Sequence, residues 1–145
     1  TYYNDVSPST IYHKFNNNIL TLTVNMREKQ KVPYLDEFAG CYIRFEKSQM
    51  NWRQYVLKNY FLSFEYKVQQ PYVSIWIELK NKDVELLKEE IFLSKCKGNI
   101  QICLLDITND IEEWRSVKEM CVVFRPNDKA INNIIEIANL ELKKN

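Results

Sequence analysis

Several short stretches of this 145-residue chain alternate apolar and polar residues with a period of two, and this pattern most narrows what the chain can become. Successive side chains of a β-strand point to opposite faces, so an alternating run marks a strand with one face buried. Residues 19–26, ILTLTVNM, put Leu20, Leu22, Val24 and Met26 on one side and Thr21, Thr23 and Asn25 on the other. Residues 38–46, FAGCYIRFE, align Ala39, Cys41, Ile43 and Phe45 against Tyr42, Arg44 and Glu46. Residues 100–105 alternate with apolar positions on both sides, as in a strand covered on both faces.

The longest such runs are NYFLSFEYKV and PYVSIWIELK, joined by Gln69, Gln70 and Pro71, and they predict a hairpin. Its core side holds Tyr60, Leu62, Phe64, Tyr66 and Val68 beside Val73, Ile75, Ile77 and Leu79. Its other side holds Phe61, Ser63, Glu65 and Lys67 beside Tyr72, Ser74, Trp76 and Glu78.

The connections carry turn residues or charge. Residues 1–18 are polar, with breakers at Pro8 and the Asn16, Asn17, Asn18 cluster, and are expected to be an irregular lead-in to a single domain over residues 19–145. Residues 27–37 suit a charged connection around Pro33, and residues 47–59 a helical turn or a loop anchored by aromatics. A charged excursion with a helical turn over residues 81–88 and a short strand at 90–94 follow, with turns at 95–98 and 106–110. In the C-terminal block, residues 112–142, a tryptophan-bearing connection leads to a strand at 121–124, a polar turn at 126–128 and a closing strand. In that strand Ile135 and Ile137 have one parity and Leu140 and Leu142 the other, which predicts a β-bulge at Ala138 and Asn139. About eight short strands without a long amphipathic helix make an all-β, antiparallel β-sandwich.

Composition excludes several functional classes. The chain is 46% hydrophobic and 27% charged, which suits a packed core rather than a disordered segment. A formal net charge of +1 with interspersed signs gives no electrostatic footprint for nucleic acid, and the basic run at residues 29–31 is interrupted upstream by Glu28. No apolar run reaches the ~20 residues of a membrane-spanning helix, so no membrane insertion of this segment is expected. Beginning at Thr1, the chain is expected to be an excised domain or mature fragment linked to further domains. Cys41, Cys96, Cys103 and Cys121 lack metal-ligand spacing and are either free thiols or hold a disulfide, and no Asn-X-Ser/Thr sequon occurs.

The order of these segments resembles that of galactose-binding-like jelly rolls, which include many carbohydrate-binding modules. The resemblance rests on the strand pair YFLSFEYKV and PYVSIWIELK, on Trp52, Tyr55 and Tyr60 before it, on CVVF, and on the terminal IIEIANLEL. It spans about residues 38–142 and implies a jelly roll, a glycan or small-molecule partner and an extracytoplasmic or cell-surface setting. Such domains often place a calcium-ligating Asp on the closing strand. Here Ala138 stands in that place, and a methyl group offers no oxygen to a hard cation. No metal or other cofactor is implied.

The candidate ligand-binding residues follow from the polar face of the expected hairpin. Trp76 and Tyr72 offer rings for stacking, while Glu78, Glu65, Lys67, Arg44 and Gln101 offer hydrogen bonds. The competing reading is that Trp76 and Tyr72 are covered by a loop and the charges are solvated. Trp52, Tyr55 and Trp114 are expected to seal the corners of the core. A catalytic role is not expected, because the single histidine, His13, lies in the lead-in, although the spacing of Glu65 and Glu78 leaves a glycosidase pair open. The functional expectation is a non-catalytic module, carbohydrate-binding through one sheet face; the alternative is a sensor or protein-interaction domain of a larger signalling or surface protein.

Overall fold

The computed structural model describes residues 2–4, 10–26, 38–82, 84–104, 110–125 and 130–144. In chain order the strands are β1 (Tyr2–Asn4), β2 (Thr10–Asn16), β3 (Ile19–Met26), β4 (Ala39–Arg44), β5 (Phe61–Val68), β6 (Val73–Asn81), β7 (Val84–Leu93), β8 (Lys97–Cys103), β9 (Glu119–Phe124) and β10 (Ile131–Lys143), with a short α-helix, α1 (Arg53–Leu57), before β5 and short 3-10 turns at Lys47–Gln49 and Ile111–Ser116. They form two five-stranded antiparallel sheets, β1-β4-β9-β6-β7 and β2-β3-β10-β5-β8. The sheets pack face to face as a jelly-roll β-sandwich.

The alternation places the core where the sequence expects it. Leu22, Val24, Phe64 and Ile135 face inward from one sheet and Ile75, Ile77, Val122 and Phe124 from the other, each at most 1% exposed. Removing such side chains from water supplies the main drive for the two sheets to close, at about 1.5–3 kcal/mol per large side chain. The end of the sandwich is sealed by two connections that bond to each other. The Trp52 amide donates to the Trp114 carbonyl at 2.8 Å and the Val117 amide to the Met50 carbonyl at 2.8 Å. Trp114 is fully buried and Trp52 is 5% exposed, so both seal the corner, whereas Tyr55 is 38% exposed and packs on Tyr60.

Four sequence expectations need correction. First, β5 and β6 are not a hairpin: they lie in different sheets. The connection, residues 69–72, has none of the Gly or Asn chemistry of a two-residue turn. Instead Asn133 of β10 accepts from the Gln70 amide at 2.9 Å and donates to the Gln70 carbonyl at 2.8 Å. Tyr72 then takes a left-handed φ of 65°, with its amide bonded to the Leu93 carbonyl at 2.6 Å, and the chain turns into the facing sheet.

Second, residues 1–18 are not wholly irregular, since they contain β1 and β2. Strand β2 is a polar edge strand in which Ile11 is buried while Phe15, on the same face, is 68% exposed, so its alternation is weak. It is joined to β3 by Asn17 and Asn18 with φ of 51° and 61°, a pair of left-handed residues suited to a tight hairpin. Third, residues 84–93 form one long strand rather than a charged excursion. A register shift opposite Leu79 and Lys80 lets the consecutive Leu86 and Leu87 both be buried. Fourth, β8 starts at Lys97, inside the expected turn, and is an edge strand covered on one face only, with Gln101 and Cys103 exposed.

The predicted bulge is present: pairing of β10 with β5 shifts between Ala138 and Glu141, and Asn139 has a φ of 54°. The expected turns at 106–109 and 126–128, and residues 27–37 with the basic run, lie outside the described residues. Strands β7 and β8 are free edges of their sheets, and β7 lines its edge with exposed Lys88, Glu89 and Glu90.

Gly98 of β8 sits against the Tyr66 ring, where an added Cβ would meet Cε1 at 3.0 Å and the hydroxyl at 3.2 Å. The Tyr66 hydroxyl bonds to the Lys95 carbonyl at 3.3 Å, which limits how far the ring can retreat. Gly98→Ala is expected to cost about 1–2 kcal/mol in a denaturant titration. None of the four cysteines is in a disulfide; Cys96 and Cys103 are exposed and Cys41 and Cys121 buried. Burial pushes the Cys121 thiol up to about 12 from its ordinary 9.0, with Lys80 opposing and Glu119, Glu78 and Cys41 assisting. A thiol reagent at pH 8 should therefore label two cysteines quickly and the other two only on unfolding. Because the unfolded thiol ionises near 9 and the folded one does not, stability should fall as the pH rises from about 9 towards 12.

Candidate functional site

Each sheet has one outer face, and the two differ in how far their polar groups satisfy one another. On the outer face of the β6 sheet the ladder aligns Tyr42, Cys121, Glu78 and Lys88 in one row and Gly40, Val123, Trp76 and Glu90 in the next. Glu78 is only 7% exposed and lies 3.7 Å from both the Lys80 and the Lys88 ammonium. The Trp76 ring has the Lys88 ammonium 5.2 Å and the Arg125 guanidinium 5.4 Å from its centroid. Arg44 faces Glu119 at 4.0 Å. The carboxylate and the indole are thus already engaged within the sheet, which leaves less for a ligand.

The outer face of the β5 sheet is more open. Its rows run Lys14, Thr21, Glu136, Lys67, Lys97 and then Asn16, Ile19, Ala138, Glu65, Asn99, with Glu141, Ser63 and Gln101 beyond. Ala138 is the short side chain in the middle of its row, and around it lies a groove of about 640 Å³ lined by Glu65, Lys67, Lys97, Asn99, Glu136 and Asn139 among others. Neighbouring rows are ~7 Å apart and neighbouring strands ~5 Å, so donors and acceptors stand on a grid about as fine as the hydroxyls of a sugar. A second cleft, about 870 Å³, opens between the sheets beside Phe15, Leu20, Ile43 and Leu140 and has a more apolar wall.

The bulge shapes the groove as well as the strand. The left-handed backbone at Asn139 turns its amide towards β5, where Nδ2 donates to Glu65 Oε2 at 2.8 Å. A carboxylate held by a fixed donor is an acceptor with its orientation already set, so a ligand loses less freedom on binding.

The structure divides the seven residues expected to bind ligand. Glu65, Lys67 and Gln101 share the outer face of the β5 sheet, whereas Trp76, Glu78 and Arg44 share the outer face of the other sheet, with the core between the two sets. Tyr72 stands at the head of β6, 72% exposed, with its ring 6.4 Å from that of Phe92. Glu65 and Glu78 therefore cannot act as one glycosidase pair. Asn99, Glu136 and Asn139 were not among the expected residues. Asn139 was traceable, since Asn at a parity break marks a left-handed residue, but its Glu65 partner was not.

No family model matches the chain, and no curated protein is similar to it in sequence. Solved structures are similar in fold. PfGH50B has a TM-score of 0.67 at 12% identity; the likeness covers 100% of this chain and only 22% of that one. The family 30 carbohydrate-binding module of the cellulosomal cellulase Cel9D-Cel44B of Clostridium thermocellum gives 0.64 at 13% identity, covering 99% of this chain and 90% of the module. A family 11 carbohydrate-binding module from Clostridium thermocellum, in complex with a β-1,3-1,4-mixed-linked tetrasaccharide, gives 0.59 at 11% identity, covering 97% and 88%. The chain shares the β-sandwich of these modules.

Replacing Asn139 separates its two roles. Asn139→Gly keeps the left-handed backbone and should change stability by less than about 0.5 kcal/mol, while Asn139→Ala should cost about 1 kcal/mol by strain. Both release Glu65, so a denaturation series beside a crystal structure or NMR spectrum of the Glu65 side chain checks the assignment.

Proposed function

We propose that the chain is a non-catalytic carbohydrate-binding module and that its ligand lies in the groove on the outer face of the β5 sheet. The observation that carries this reading is the open groove over the Ala138 floor, where Glu65 and Asn99 share one row and Lys67 stands in the next, with Glu65 held by Asn139. A glycan hydroxyl both donates and accepts, so a surface mixing carboxylate, amide and ammonium groups can satisfy it directly. Solved carbohydrate-binding modules of the same fold, one with a tetrasaccharide bound, support the reading. Support for a module carried beside further domains comes from PfGH50B, where the likeness covers 22% of that chain. The reading also favours an extracytoplasmic or cell-surface setting.

A sensor or protein-interaction role is the second reading. It draws on the exposed Tyr72 and Phe92 rings at the head of β6, an apolar spot outside the groove.

A glycan array followed by calorimetry on the best ligand tests the choice. Glu65→Ala is expected to weaken binding about tenfold, the loss of one charge-assisted hydrogen bond, while Trp76→Ala leaves it unchanged. If Trp76→Ala abolishes binding and Glu65→Ala does not, the ligand face is the other sheet; if no glycan binds, the carbohydrate reading is lost.

A further inference from the structure

Lys67 of β5 and Lys97 of β8 are direct cross-strand partners at one end of the groove, both exposed and both lining it. Like charges set directly opposite one another on a sheet are destabilising, so folding alone does not favour this pair. Among the described residues neither Lys67 nor Lys97 forms an ion pair with a carboxylate. Glu136, across from Lys67 on β10, is half-buried and makes no such pair, and the Glu65 carboxylate in the next row accepts from Asn139. One row of the groove thus carries two ammonium groups without ion pairs, with Glu136 flanking them on β10 and Glu65 and Asn99 in the next row.

We propose that the groove selects a glycan bearing an anionic substituent, a uronate carboxylate or a sulfate, seated between the Lys67 and Lys97 ammonium groups. This rests on the groove being the glycan site. An oxyanion there would receive a charge-assisted hydrogen bond from each lysine and relieve the repulsion between them, while Glu65 and Asn99 take hydroxyls of the neighbouring sugar. Relief of that repulsion occurs only with an anion bound, so it discriminates against a neutral chain of the same shape.

Calorimetry on the full chain with a uronic-acid oligosaccharide, a sulfated oligosaccharide and a neutral β-glucan oligosaccharide tests the proposal. At least one acidic probe should bind about tenfold tighter than the neutral one, with the difference shrinking as salt is raised; the tighter acidic probe identifies the substituent. Lys67→Gln and Lys97→Gln should each weaken the acidic ligand about tenfold and weaken the neutral one clearly less, because only the acidic ligand loses a charge-assisted bond. Glu136→Gln should strengthen acidic binding, and melting temperatures no lower than that of the parent chain show that the variants fold. Neutral binding as tight as acidic, or acidic binding indifferent to both lysine changes, overturns this proposal and leaves the groove as a site for neutral glycans. Absence of binding to all three probes overturns it together with the carbohydrate reading.

Discussion

Two hydrogen bonds between the Asn133 side chain and the Gln70 backbone decide which sheet each half of the middle of the chain joins. With β5 and β6 paired, their apolar sides would form one continuous face with nothing to cover it. Turned apart, they become opposite walls of the core, and Phe64 and Ile77 pack into the same interior from different sheets. An amide as buried as that of Asn133 costs stability unless its oxygen and nitrogen are both satisfied. Here they are, by one residue whose own backbone groups would otherwise lack strand partners, so one buried polar group pins the crossover from one sheet to the other.

Faces were legible in the sequence, and partners were not. Period-two alternation reports on which side a residue lies, and the core positions of β3, β5, β6 and β10 follow from it directly. It carries no information about which strand lies alongside. Glu65 and Trp76 have the same relation to the core, each on the outer side of its own strand, and for that reason they looked like neighbours while standing on opposite surfaces. Strand β2 was hidden for a different reason: at an edge only Ile11 of its inward residues reaches the interior, so burial did not impose a pattern on the rest. The bulge was visible because a parity break has few other causes.

Scarcity of glycine ties the turns to the groove. The chain has two glycines, and neither takes a positive φ among the described residues; Asn17, Asn18, Asn59 and Asn139 adopt that conformation instead. Asparagine tolerates the left-handed region and brings an amide with it. Two of these turns, the one between β2 and β3 and the bulge of β10, border the groove, so the residues that bend the backbone also supply hydrogen-bonding groups to the surface.

The charged rim of β7 bears on how copies of the molecule behave when crowded. A free strand edge offers unpaired amides and carbonyls as a template for another chain, and fibrous association begins with such pairing. Lys88, Glu89 and Glu90 along β7 would have to surrender their hydration before a second sheet could dock. Lys97, at the start of β8, places a further charge at one edge of the facing sheet. Pairing of two copies edge to edge through β7 is thus disfavoured by charges on the same strand that bounds the sandwich.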